Sequence, residues 1–385
     1  MELTLFVDHQ CNLRCRYCYT GEKFTRPMSA ETMRKAVALA LRASPDRLGV
    51  AFFGGEPLIH LDLVRETVEH VERTIAALGE RRPDYQFFMN TNATLIDARA
   101  IELMRPPRRF TAFVSLDGQP ELHDRNRVTP TGKGSHAEVV AGLERLREAG
   151  IPYQLLAVYG PETAPALGET VRALLELRPG KLHISANYAA DWTDDSIARL
   201  RQGLDAAGDA WMDWFRQGQV LAIEPLHAKI LSHLKGGMPC PPRCVLGGCE
   251  WTVTPKGNIY PCAQMVGEDT RADLVIGHVE QGIDLEGLHR LRKAKDRVEQ
   301  TCAECELRDR CQSHCGCRHI ALSGELGVIT ATLCEIEAAL IAQADRVAET
   351  LYDEGCPAFI EYYYQRPWFP VPGGELSDLR RARDT

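Results

Sequence analysis

Apolar residues follow two rhythms along the first half of the chain. Short, nearly continuous apolar runs at 3–7, 50–53, 86–89, 111–116, 153–158 and 182–185 read as strands. Between them, apolar residues recur three and four apart at 30–42, 62–78, 98–104, 137–149, 165–177 and 197–215, which predicts amphipathic helices. Ser29 stands where the first helix needs an N-cap. Strand–helix alternation predicts an α/β fold with a parallel sheet and right-handed crossovers, either doubly wound or an incomplete barrel.

Polar and glycine motifs fall just after the strands. Cys11, Cys15 and Cys18 follow the first, Gly54-Gly55-Glu56-Pro57 the second, Asn90-Thr91-Asn92 the third and Asp117-Gly118 the fourth. All should open at the carboxyl end of the sheet, where ligands bind in such folds, and share one mouth. The rhythm breaks near residue 236 at GGMPCPPRC, and the segment to 334 is dense in cysteine with little helical periodicity. Residues 333–351 read as one amphipathic helix, followed by an aromatic, proline-rich and then charged tail. The expected domains are 1–235, a cysteine-rich 236–340, and a helix and tail at 341–385.

Composition narrows the function. With 385 residues, 44% hydrophobic and 25% charged, the chain suits one large core plus an appendage. A net charge of −8 argues against a nucleic-acid partner. The basic run at 105–109 reads as a solvated loop. No apolar window approaches the roughly 18 residues of a membrane helix, and MELTLFVDHQ lacks signal-peptide character. A soluble cytoplasmic protein with no membrane partner is expected. In that setting 14 cysteines point to metal rather than disulfides. Three lie between residues 11 and 18, ten between 240 and 334, one at 356, and none between 19 and 239.

Three thiolates in a C-x3-C-x2-C loop suit soft metals: iron–sulfur clusters, zinc or Cu(I). A structural zinc site takes four ligands, and the only other candidate nearby is His9. A cubane with one open iron is the better fit, and an open iron can chelate a cofactor.

The loop CNLRCRYCYTG, with Tyr17 before its last cysteine, resembles the cluster loop of the radical SAM superfamily. The resemblance implies a partial (β/α)6 TIM-like barrel. It also implies a [4Fe-4S] cluster on Cys11, Cys15 and Cys18 that binds S-adenosylmethionine (SAM) and cleaves it to a 5′-deoxyadenosyl radical. GGEP resembles the family's SAM-binding turn, with Gly54, Gly55 and Pro57 shaping the backbone and Glu56 accepting from the SAM amino group. TNATL and SLDGQPELHDRNR resemble further family segments, so Thr91, Asn92, Ser115, Asp117, Arg127 and the strand residue Leu156 are expected around the nucleoside, with Tyr17 beside the cofactor.

The remaining cysteines resemble the SPASM extension of peptide- and protein-modifying radical SAM enzymes, which supplies two more [4Fe-4S] clusters. Carried over, one uses Cys244, Cys249, Cys262 and Cys315, and the other Cys302, Cys305, Cys311 and Cys334. In HCGCRH either Cys315 or Cys317 can be the ligand; spacing favours Cys315. Cys240 and Cys356 are expected as free thiols. Zinc knuckles are the alternative for the region.

The reading is a peptide maturase that abstracts hydrogen from a ribosomally made peptide and oxidises or crosslinks it, with an external donor such as flavodoxin or ferredoxin. Formylglycine-generating sulfatase maturation is the alternative, although Ala263 stands where that group has an aspartate. A non-catalytic iron–sulfur electron carrier is the alternative of another class. The first strand begins at residue 2 or 3, so no N-terminal leader-binding extension fits, and a separate leader-binding protein, the C-terminal extension or leaderless recognition is expected. Tyr188, Asp191 and Glu250 are the acid/base candidates near the mouth.

Overall fold

Each of the six apolar runs becomes a strand that pairs in parallel with the next. The computed structural model describes residues 1–44, 46–234, 244–248 and 250–366. The strands are β1 (Glu2–Asp8), β2 (Arg47–Gly54), β3 (Asp84–Thr91), β4 (Phe110–Ser115), β5 (Tyr153–Tyr159) and β6 (Leu182–Ala186), with a short β7 (Ile223–Glu224) at the edge. They lie side by side in chain order, parallel throughout. A doubly wound sheet reverses its order at a switch point. β1 to β7 show no such reversal, so the crossovers all step the same way and the sheet is a partial barrel.

The crossover helices are α1 (Ala30–Ala43), α2 (Leu61–Ala76), α3 (Ala98–Met104), α4 (Pro120–Asn126), α5 (His136–Glu148), α6 (Leu167–Glu176), α7 (Asp194–Arg216) and α8 (Leu226–Leu234). In α1 the Ser29 hydroxyl accepts from Thr32 N, and Met33, Ala36, Val37 and Ala40 are buried at the expected three-and-four spacing. β4 and β5 alternate buried and half-buried positions. The buried set, such as Phe110, Val114 and Leu155, joins the main core, where each large side chain contributes about 1.5–3 kcal/mol. The half-buried set, Phe113 and Ser115 on β4 and Gln154, Leu156 and Val158 on β5, lies on the opposite face. That face is the lumen.

The cysteine-rich segment continues the same sheet. β8 (Glu250–Val253) pairs in parallel with β1, from Glu2↔Glu250 to Leu5↔Val253. β9 (Asn258–Tyr260), β10 (Gly277–His278) and β11 (Gly282–Ile283) then extend the sheet antiparallel. Phe6 of β1 forms a second core with Leu246, Tyr260, Met265, Val266, Leu274 and Leu326. The segment also holds α9 (Leu285–Lys295), α10 (Val298–Thr301) and α11 (Gly316–Ser323). These helices form where the sequence shows little helical periodicity. α9 buries only Gly287, Leu288 and Lys295, so its apolar stripe is too thin to read from the sequence.

α12 (Ala331–Asp353) and α13 (Pro357–Ile360) close the described chain. α12 buries Ile336, Leu340, Ala344, Val347 and Leu351 along one continuous helix. The division expected at 340/341 therefore falls inside a helix, while the one at 235/236, with Cys240, lies outside the described residues. Cys356 is buried and joins the main core. Among the described residues no helix is long and apolar enough to cross a membrane.

Candidate cluster and cofactor site

β1 ends at Asp8, whose buried carboxylate shapes the loop that follows. Its Oδ1 accepts from the backbone N–H groups of His9 (2.6 Å), Gln10 (3.2 Å) and Arg26 (2.7 Å), and its Oδ2 meets His60 Nε2 at 2.6 Å. No motif marks Asp8, although its position at a strand end before a tight loop is a signal. Arg14 N and Arg16 N donate to the carbonyls of Val128 and Asn126, pinning the loop to the C-terminal end of α4 and the segment just after it.

Cys11, Cys15 and Cys18 are all half-buried on this loop. Burial pushes the Cys11 thiol up to about 12. Burial also acts upward on Cys18, but hydrogen bonds from Thr20 and from Lys23 Nζ (3.1 Å) more than offset it and leave that thiol lowered. Three soft, partly accessible sulfurs at the carboxyl end of a barrel strand fit an iron–sulfur cluster with an open position.

The GGEP turn packs directly against the entry to this loop. Gly55 N donates to Asp8 O (2.8 Å) and Glu56 N to Gln10 O (2.9 Å). A Cβ on Gly55 would stand 2.0 Å from Gln10 O, and Gly54 has φ +129 with Asp8 O 2.4 Å from its would-be Cβ. Both glycines are therefore required by close backbone approach. Gly55→Ala should cost at least about 1–3 kcal/mol through overpacking. The expected result is a lower melting temperature and weaker SAM binding by calorimetry.

Glu56 follows the two glycines. Its carboxylate is 1% exposed and already accepts from Leu58 N (3.1 Å), Thr91 Oγ1 (2.8 Å) and Asn92 N (2.7 Å). Burial raises it to about 7 against those three bonds. Glu56 thus braces the β2 and β3 ends, and its Oε2, which accepts only from Asn92 N among the described residues, keeps a lone pair for a further donor. Asn92 in turn reaches the cysteine loop: its Nδ2 donates to Asn12 Oδ1 (2.9 Å) and lies 3.9 Å from Cys11 Sγ.

Tyr17, Asp117 and Arg127, far apart in sequence, meet in one buried network. Arg127 donates twice to Asp117 (3.0 and 3.1 Å), Val158 N donates to the same carboxylate (2.9 Å), and so does the Tyr17 hydroxyl. The guanidinium also lies 5.2 Å from the Tyr17 ring centroid. Their polar groups face one another and hold the loop against the barrel. Ser115 and Leu156 pair in register on β4 and β5, half-buried in the lumen. Pro57 opens a single 3-10 turn.

On the second module, Cys244, Cys262, Cys315 and Cys317 come together. Cys317 hydrogen-bonds Cys262 and sits 3.1 Å from Cys315 Sγ, while Cys244 accepts from Gly316 N near Cys315. Both sulfurs of the open choice therefore face the same array, and Cys249 lies outside the described residues. Burial and then the charges of Cys302 and Cys305 raise Cys334, which groups those three thiols. Burial pushes the Cys311 thiol up to about 12, with the charge of Glu337 adding to it and that of Lys229 opposing. Among the described residues no three Cys, His, Asp or Glu side chains are set to hold a single metal ion.

The acid/base candidates part company. Asp191 is exposed, and Tyr188 is half-buried under the Arg318 guanidinium, 4.7 Å from its ring centroid, with its hydroxyl held well above the ordinary value by burial. Glu250 opens β8, where burial raises it to about 7 despite a bond from Ala263 N.

A parallel partial barrel with a thiol loop braced at its mouth is the architecture of radical SAM domains, and comparison with known proteins agrees. Residues 7–174 match the Radical SAM superfamily. The cysteine-type anaerobic sulfatase-maturating enzyme of Clostridium novyi (strain NT) is 24% identical over 333 residues, 80% of this chain and 86% of that protein. The PqqA peptide cyclase of Gluconobacter oxydans (strain 621H) is 23% identical over 335 residues, 84% of this chain and 87% of that protein. The solved structure of native anSMEcpe with bound AdoMet has a TM-score of 0.76 at 18% identity, covering 91% of this chain and 99% of that one. Streptococcus suis SuiB bound to S-adenosylmethionine gives 0.60 at 17%, covering 86% and 76%. Residues 7–174 thus form a Radical SAM domain, and the fold shared with these structures extends beyond it through the cysteine-rich module.

Proposed function

We propose that this protein is a radical SAM maturase with a SPASM-type module, acting on a side chain of a ribosomally made peptide by net oxidation, such as a crosslink. The observation that carries the reading is the placement of the second thiol array. β8 lies beside β1, so Cys244, Cys262, Cys315 and Cys317 stand on a module fused to the strand that feeds the Cys11–Cys18 loop. Relatives named for sulfatase maturation and peptide cyclisation, and anSMEcpe solved with AdoMet and Kp18Cys peptide, support a peptide or protein substrate.

When bound, a [4Fe-4S] cluster and SAM supply the radical that removes hydrogen from the substrate. The protein residues position and exclude. The Gly54–Gly55 turn fixes the loop entry, Glu56 ties the β2 and β3 ends together, and the Tyr17–Asp117–Arg127 network seals the far side. Cys11, Cys15 and Cys18 would hold the cleaving cluster. The C-terminal sets, with Cys249 and Cys311, would hold two more that carry electrons toward a flavodoxin- or ferredoxin-like partner.

The test is anaerobic reconstitution with reductant, SAM and any short peptide encoded beside the gene. Formation of 5′-deoxyadenosine together with a mass change on that peptide is expected. Conversion of a sulfatase cysteine or serine to formylglycine, with the peptide untouched, would instead establish the sulfatase-maturing alternative.

A further inference from the structure

Three charges are buried together between the barrel and the cysteine-rich module. Lys229 of α8 donates to Glu337 of α12, Arg318 of α11 donates to the other oxygen of the same carboxylate, and Gln312 N adds a bond of 2.8 Å. The side chains are 0%, 14% and 1% exposed for Lys229, Arg318 and Glu337. Lys229 also donates to Arg310 O at 2.8 Å. The neighbouring Arg310–Asp345 pair is matched within itself.

The cluster is one negative charge short. Two cations share one carboxylate in a nearly dry place, and an uncompensated buried charge costs several kcal/mol. Among the described residues no second carboxylate answers Arg318; its other face lies over the Tyr188 ring. What does lie beside it are thiols. Arg318 N donates to Cys315 O at 3.0 Å, Cys317 is its chain neighbour, and the guanidinium field acts on both sulfurs. An iron–sulfur cluster held by four thiolates carries net negative charge. It is the anion this arrangement lacks.

We propose that Arg318 is a potential-setting residue for the auxiliary cluster at Cys244, Cys262 and the Cys315/Cys317 pair. The inference rests on the proposed auxiliary-cluster reading. Taking up one electron makes that cluster more negative, so a fixed guanidinium beside it stabilises the reduced form and raises the reduction potential. An arginine stays charged at any working pH. Glu337 holds it in place and partly offsets it, so the two residues should move the potential in opposite directions. Arg318 is a positioning and electrostatic residue here, with Tyr188 marking the side that faces the barrel.

The test is a reduction-potential titration of the anaerobically reconstituted full chain, followed by electron paramagnetic resonance, with iron content measured in parallel. Arg318→Met should shift the auxiliary signal to more negative potential, Arg318→Lys should restore most of the wild-type value, and Glu337→Gln should shift it to more positive potential. A purely structural role would lower iron content in both charge-removing variants without opposite shifts. Wild-type protein with about twelve irons per chain whose potential is unmoved by Arg318→Met overturns this proposal alone. Wild-type protein with only about four irons overturns the auxiliary-cluster reading and the proposal with it.

Discussion

Cys15→Ala is expected to abolish 5′-deoxyadenosine formation, dropping it to the level of a no-enzyme control, while leaving the fold and the C-terminal clusters in place. Of the three loop thiols, Cys15 gives the cleanest variant. Cys11 Sγ accepts from Leu13 N and Cys18 Sγ from Lys23 Nζ, so removing either also disturbs the loop, whereas Cys15 Sγ makes no hydrogen bond among the described residues. Its loss removes a ligand and little packing. Iron should fall by about four atoms per chain, and the apo protein should melt close to wild type. An electron carrier would retain reducible clusters and show no dependence on SAM, so residual SAM cleavage at the wild-type rate would overturn the enzymatic reading.

The strands that build the mouth were legible because each is a compact apolar run bounded by a motif. The approximate bounds of α1, α2 and α7 were legible from periodicity for the same reason. The join between the two modules was not. β8 is only four residues long, Glu250–Val253, and its partner β1 lies nearly 250 positions earlier. Short strands carry too little pattern to announce which edge they extend.

Site residues divide along a similar line. Cysteine spacing placed the first three thiols on one loop, because a tight loop needs no tertiary information. The protein partners of Glu56 were not legible, since spacing cannot show that Thr91 Oγ1, Asn92 N and Leu58 N donate to its carboxylate. Arg318 and Lys23 passed unnoticed for another reason. A single basic residue beside a cysteine reads as ordinary surface until burial and partners are known.

The Tyr17–Asp117–Arg127 network gives the second large effect. Asp117 and Arg127 are 3% and 8% exposed and bonded through both carboxylate oxygens. Arg127→Met would leave the carboxylate buried with only Val158 N and the Tyr17 hydroxyl as donors. Breaking one side of a buried pair typically costs about 3–5 kcal/mol, because the remaining charge is uncompensated. The variant should therefore melt several degrees below wild type and load less iron on the Cys11–Cys18 loop, which loses its anchor at Tyr17. Adding Asp117→Asn should recover part of the loss by removing the stranded charge, and that non-additivity separates pairing from lost side-chain volume. Thermal melts of the two single variants and the double variant decide it. If Arg127→Met melts with wild type, or the double variant falls by the sum of the singles, the pair does not brace the loop.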